Sequence, residues 1–222
     1  MAERKYTGPV YSLAEELISS ISHGVGTLLA VAALVVGVVM AALYSDAWCI
    51  VSMAIYGTTL VILYSMSTIY HSLRPNRGKS VLRILDHCSV FLLIAGTYTP
   101  LTLVSLRGTV GWVLFGVVWG AAVLGIVLNA VSLKRFKVFS MVCYIAMGWV
   151  IVFAFQPLMN TMQTGGMILL IAGGLFYTVG AVLYGVGKKV KYVHSIWHFF
   201  VLAGSILHYF CILFYVVPVL QA

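Results

Sequence analysis

The strongest chemical signature in this chain is His194-Ser195-Ile196-Trp197-His198. Residues four apart share one face of an α-helix. Two imidazoles at that spacing can offer neutral nitrogens in one direction and grip a single metal ion. The pair opens the last long apolar run of a protein that otherwise keeps ionisable residues out of such runs. Ionisable groups at membrane depth are costly and mark functional sites by default. The competing reading is two histidines at a membrane–water boundary that do nothing special. A third ligand and a carboxylate within reach would decide between the two, so the elements that could deliver them come next.

Of 222 residues, 62% are hydrophobic and 8% charged, against about 25% charge in a soluble domain. This composition specifies an all-α, polytopic membrane protein, read as one membrane domain over residues 1–222. The net charge of +8 does not point to nucleic acid, because the basic residues lie between apolar runs, where they set topology. Cys49, Cys88, Cys143 and Cys211 all lie inside apolar runs with no CxxC spacing, and read as small buried hydrophobes. No signal-peptide pattern is evident, since Glu3, Glu15 and Glu16 interrupt the start.

Residues 1–11 form a polar tail expected to fray. Ser12 to Glu15 has the S-x-x-E form of a capping box and should start the first helix. Uncharged runs follow at 24–45, 47–73, 87–106 and 108–133, and a fifth at 138–187 is long enough for two spans. Gln156-Pro157 and Gln163 to Gly166 should bracket the turn between those two. Residues 74–83, with Pro75 and Gly78, read as a loop. The run 192–222 completes a bundle of seven transmembrane helices. Gly173, Gly174 and Gly180 in span six, with Gly185 and Gly187 at its end, read either as close helix packing or as a hinge or lipid groove.

Twelve of the thirteen Lys and Arg residues then fall on one side and only Arg107 on the other. Basic residues are retained in the cytoplasm, so the N-terminus should be cytoplasmic and the C-terminus outside. That orientation brings Glu16 and His23, His71, Asp86, and His194 with His198 to one depth from four different helices. His208 lies about 15 Å deeper than His198, and should hydrogen-bond within the bundle. His87, beside Asp86, points elsewhere on its helix and is not expected to be a ligand.

His71, His194 and His198 would supply three imidazoles, and three protein ligands plus an open position is the pattern of catalytic zinc. Asp86 could orient a metal-bound water or act as general base; it could also merely pair with Arg83 at the helix start. Ser67, four residues before His71, could bond the water or a developing oxyanion, or simply bond back to its own helix. Glu16 and His23 could support the metal ligands from behind, or pair with each other to hold span one.

Four stretches carry a resemblance: ELISSISH (Glu16 to His23), STIYH (Ser67 to His71), DHCSVFLLIAGTYTP (Asp86 to Pro100) and HSIWH (His194 to His198). Together they resemble the hemolysin III proteins of bacteria, within the progestin and adipoQ receptor family, whose wider superfamily includes alkaline ceramidases. The resemblance covers about Ser12 to Tyr215. It implies seven helices with an intracellular N-terminus and zinc on His71, His194 and His198, with Ser67 and Asp86 near the metal-bound water. Ser19 stands where family members commonly have Asn, which weakens a role for an amide there.

Two functions compete. One is a zinc-dependent hydrolase of a membrane lipid amide or ester in the bacterial plasma membrane. The other is a non-catalytic regulator of membrane lipid homeostasis with structural zinc. A cytolytic pore fits less well, because a pore needs polar lining through the whole bilayer and the ionisable groups here gather in one leaflet.

Overall fold

The computed structural model describes Tyr6, residues 8–187 and residues 190–217. Among these are eight α-helices and no strand: α1 (Leu13–Tyr44), α2 (Ala47–Ser72), α3 (Arg77–Pro100), α4 (Thr109–Ser132), α5 (Lys137–Trp149), α6 (Phe155–Thr161), α7 (Thr164–Val186) and α8 (Val193–Tyr215). They make seven segments long and apolar enough to cross a membrane, with α5 and α6 sharing the fifth.

Helix starts follow local chemistry. The capping box at α1 forms as expected: Ser12 Oγ accepts the Glu15 N–H at 3.3 Å, and Glu15 Oε2 accepts the Ser12 N–H at 2.9 Å. Asp46 caps α2 and Asn76 caps α3 through their side chains. The Asn76 cap corrects the reading of 74–83 as a loop. α3 begins at Arg77, Gly78 is inside it, and Asp86 lies more than two turns in rather than at its start. Charge misled there, because Lys79 is buried within the helix rather than solvated.

Two spans change pitch at membrane depth. Pro100 has no N–H to bond the preceding turn, and the chain widens after it into a π turn over Leu101–Ser105. The fifth span tightens into a 3-10 turn over Val150–Ala154. Pro157 falls in the first turn of α6, where proline is tolerated. The reversal expected between Gln156-Pro157 and Gln163 to Gly166 falls at Met162 and Gln163, with Pro157 taken into the short α6 that precedes it.

The spans close a ring in the order α1, α2, α3, α4, α5, α7, α8, with α8 returning to α1. α3 is the most buried of the spans. α7 and α8 approach closely: a Cβ at Gly173 would lie 2.2 Å from His208 Cδ2, and one at Gly187 would lie 2.8 Å from the His194 backbone nitrogen. The glycines at these two positions therefore serve packing, by letting the helices come together. Residues 188, 189 and 218–222, part of the expected loop and final run, lie outside the described residues.

Candidate metal centre

α2 and α8 bring His71, His194 and His198 together at the end of the bundle that carries the basic turns. One ligand nitrogen from each lies within 4.8 Å of the others, and all three residues are buried. His194 Nε2 and His198 Nε2 are 3.3 Å apart. Imidazoles bound tetrahedrally at about 2.0–2.1 Å from an ion would hold their nitrogens about 3.3 Å apart.

The protons on His71 are set by its partners. Its Nδ1 donates to Glu16 Oε2 at 2.7 Å, leaving Nε2 buried with no hydrogen-bond partner among the described residues. A buried polar atom without a partner calls for an explanation, and a cation among three convergent imidazoles provides one. The carboxylate–histidine arrangement is the usual support behind a metal-ligating imidazole. Glu16 is itself held by the Lys79 ammonium at 2.6 Å, which also donates to the Leu73 carbonyl at 2.8 Å. Lys79 is 1% exposed.

Glu16 and His23 therefore do not pair with each other. Glu16 stands behind His71, whereas His23 packs on His198 with ring centroids 4.0 Å apart and edge-on to Tyr64 at 5.0 Å. The two share a face of α1 about two turns apart, and α2 and α8, which flank α1, engage them separately. Neither ring nitrogen of His23 has a hydrogen-bond partner among the described residues.

Asp86 is buried and interacts electrostatically with His71 and with the Ser67 hydroxyl. The Ser67 oxygen makes no hydrogen bond of good geometry, so it is not spent on its own helix. The pairing of Asp86 with Arg83 that the sequence left open is not among the ion pairs of the described residues; the neighbouring cation-capable group is His87, at 3.6 Å. His87 donates from Nδ1 to the Arg83 carbonyl at 2.8 Å and meets the Tyr184 hydroxyl through Nε2 at 3.0 Å, pointing away from the trio. His208 bonds the Leu170 carbonyl at 3.0 Å, as expected of a residue outside the cluster.

Several contributors escaped the sequence reading. In the described part of the tail before α1, Tyr11 stacks on His194 at 4.4 Å between centroids and Tyr6 reaches Tyr70 with hydroxyls 3.1 Å apart, while residues 1–5 and 7, also expected to fray, lie outside the described residues. Burial raises the Tyr11 phenol above its usual pKa range, so it covers the site as a neutral group. Glu15 both caps α1 and accepts the Tyr192 N–H at 2.8 Å. Tyr192 enters α8 with φ of 65°, a left-handed conformation unusual for a bulky residue. Glu15 thus fixes the chain two residues before the first histidine of α8. Ser195, between the two α8 histidines, meets Ser19 Oγ at 3.2 Å and donates to the Glu15 carbonyl at 3.2 Å. Lys79, the buried partner of Glu16, also escaped. It is seven residues before Asp86 and so shares its helical face, a spacing hidden while 74–83 was read as a loop.

A cavity of about 470 Å³ opens beside the trio. Asp86 and His194 line one end and Tyr98 and His208 the other, with Trp149 and Trp197 between. Its size is typical of a small-molecule site, and its walls are largely apolar side chains.

A family model described as haemolysin-III related matches residues 11–209. The "Hemolysin-3 homolog" of Bacillus subtilis (strain 168) is 43% identical over 210 residues, covering 95% of this chain and 98% of that protein. The "Hemolysin-3" of Bacillus cereus is 40% identical over 214 residues, covering 96% and 97%. A more distant relative, the "Monocyte to macrophage differentiation factor" of Homo sapiens, is 28% identical over 191 residues, covering 83% and 78%. No solved structure gives a significant match. A match of this extent to the family model, joined to seven apolar spans, identifies the chain as a multi-pass membrane protein of the haemolysin-III-related family.

Proposed function

We propose that the protein is a zinc-dependent hydrolase that cleaves an amide or ester of a membrane lipid at the cytoplasmic leaflet of the bacterial plasma membrane. The observation that carries this is the unpartnered Nε2 of His71, turned toward His194 and His198 beside an apolar cavity that Asp86 also lines. A zinc ion bound there would supply Lewis-acid polarisation and an acidified water.

The chain's own residues divide the remaining work. His71, His194 and His198 hold the ion. Glu16 keeps the proton of His71 on Nδ1, so that Nε2 presents its lone pair. Asp86, facing the cavity, takes a proton at its carboxylate and returns it to the leaving group. The Ser67 hydroxyl orients that carboxylate or donates to the developing oxyanion. The apolar cavity seats an acyl chain, and Tyr11 limits water at the mouth. Imidazole donors suit zinc among the divalent ions, and the basic turns at this end support its cytoplasmic placement.

Purified protein should contain about one zinc per chain, as one open-position site requires, and His194→Ala should remove both the zinc and the lipid cleavage. Asp86→Asn should keep the zinc while slowing cleavage by about a hundredfold or more. If Asp86→Asn keeps both the zinc and wild-type control of cellular lipid composition, while His194→Ala loses both, the structural-zinc regulator replaces the enzyme. The cytolytic reading suggested by the relatives' names finds less support, because a pore needs polar lining through the whole bilayer, whereas Glu16, His71, Asp86, His194 and His198 gather at one end of the bundle.

A further inference from the structure

The cavity's mouth is cationic in a way the proposed hydrolysis does not use. Arg83, half-buried on α3, and Lys137, at the start of α5, both line it. Neither side chain has an ion-pair partner among the described residues. Of the described acids, Glu15, Glu16 and Asp46 are committed elsewhere. Glu16 binds His71 and Lys79, Glu15 binds Ser12 and Tyr192, and Asp46 pairs with Arg107 at the opposite end. Asp86 lies three residues beyond Arg83 on α3, about 4.5 Å deeper along the axis.

We propose that Arg83 and Lys137 seat the phosphate of an anionic membrane phospholipid whose acyl chain enters the cavity. This deepens the hydrolase reading, on which it rests, by naming the class of lipid. A guanidinium matches a phosphate through paired N–H donors, and a lysine adds a point charge. With the phosphate at Arg83, the linkage to the acyl chain falls one helical turn deeper, beside Asp86 and the histidines. A choline-type headgroup fits worse, because its cation would meet two more cations at the level of Arg83 and Lys137, with the Asp86 carboxylate buried about one turn deeper. A lipid without a charged headgroup would leave both cations unused.

The test needs no turnover. The full chain, stripped of metal, is placed in phosphatidylcholine nanodiscs doped with phosphatidic acid carrying brominated chains. Trp149 and Trp197 line the cavity, so their fluorescence reports chain entry. Bulk quenching of Trp48, Trp112 and Trp119 is common to every arm. Brominated phosphatidic acid should quench at about tenfold lower content than the matching diacylglycerol, since a charge-assisted hydrogen bond contributes about 1.5–3 kcal/mol. Arg83→Gln should abolish that preference, Arg83→Lys should keep part of it, and Arg77→Gln, in the same basic turn but off the cavity, should leave it intact. Should Arg83→Gln fail to fold, Lys137→Gln, at an exposed position, carries the test.

Equal quenching by the two lipids would overturn the proposal. So would an equal loss in Arg77→Gln, which would make the effect one of surface potential. Full competition by inorganic phosphate alone would overturn the lipid assignment. If the preference holds but no lipid is cleaved, the hydrolase reading falls and the headgroup site stands.

Discussion

The side of the bundle built from α1, α2 and α8 is joined by polar side chains that cross between helices. Glu16 reaches α2 and α3, Ser19 reaches α8, and Tyr64 donates to Ser205 at 2.7 Å, where Tyr177 also arrives at 2.7 Å. The side that includes the fifth span is held differently. Tyr98 donates to the Gly148 carbonyl at 3.1 Å and accepts the Ile151 N–H at 2.9 Å, Tyr144 donates to the His87 carbonyl at 2.7 Å, and Trp149 donates to Thr178 at 3.0 Å. These bonds tie a span whose helix changes pitch at Val150 and which lines the cavity through Met141, Tyr144, Ile145, Gly148 and Trp149. The candidate metal centre sits where α1, α2 and α8 share a polar network. Space for a flexible ligand sits where one wall touches its neighbours at a few points.

The sharpest way to break this contrast is to attack the network. Glu16→Gln removes the carboxylate that fixes the His71 tautomer and leaves the Lys79 ammonium buried without its counter-charge. Metal affinity should fall by about 10–100-fold, the usual cost of removing a partner behind a ligand. Competition with a calibrated chelator measures this directly. The double variant Glu16→Gln/Lys79→Met removes the stranded cation, so it should recover stability lost in Glu16→Gln but not metal affinity. Recovery of both would mean that charge balance, and not the orientation of His71, is what Glu16 provides.

On the other side, Tyr98→Phe deletes both bonds to the fifth span while keeping the ring. It should cost about 1 kcal/mol of local stability per lost bond and raise amide hydrogen exchange over Val150–Ala154. Metal affinity should stay as in the wild type. A fall in metal affinity with Tyr98→Phe would show that the two sides are one mechanical unit and would sink the distinction.

This division explains what the sequence made legible. His71, His194 and His198 could be found because HxxxH is a local spacing and hydropathy puts a third histidine at the same depth. Ser12 and Glu15 could be found because a capping box is a pattern within one turn. Lys79, Tyr11 and the second bond of Glu15 could not, since each acts on a helix distant in the chain. Lys79 was further disguised by looking like an ordinary basic loop residue. The reversal between the fifth and sixth spans could be found too, because Gln156-Pro157 and Gln163 to Gly166 bracket it; the short helix that takes in Pro157 could not, since proline is accepted in a helix's first turn. The cavity left no trace in any single span. It arises from how the fifth span stands against α3, α7 and α8.

The far end of the bundle tests whether either side reaches across the membrane. Asp46, between α1 and α2, caps α2 through the Cys49 N–H and pairs with Arg107 at the end of the third span. The Arg107 guanidinium holds its carboxyl below the ordinary range, with the Cys49 N–H adding to the effect. A carboxylate with a depressed folded pKa adds stability that is fully present above its unfolded pKa of about 3.9. That stability is lost as the pH falls through the folded value. Asp46 is about half exposed, so screening keeps the ion pair under about 1 kcal/mol. Asp46→Asn keeps a good helix cap and discards the ion pair. Its melting temperature should sit slightly below wild type near neutral pH and converge with it as the pH drops below about 4. Metal affinity and quenching by brominated lipid should not change in this variant, because Asp46 sits at the opposite ends of α1 and α2 from Glu16 and His71, and its side chain bonds Arg107 and the Cys49 N–H. A change in either would mean that the spans transmit strain along their full length, and that the order at the basic end depends on how the opposite turns are tied.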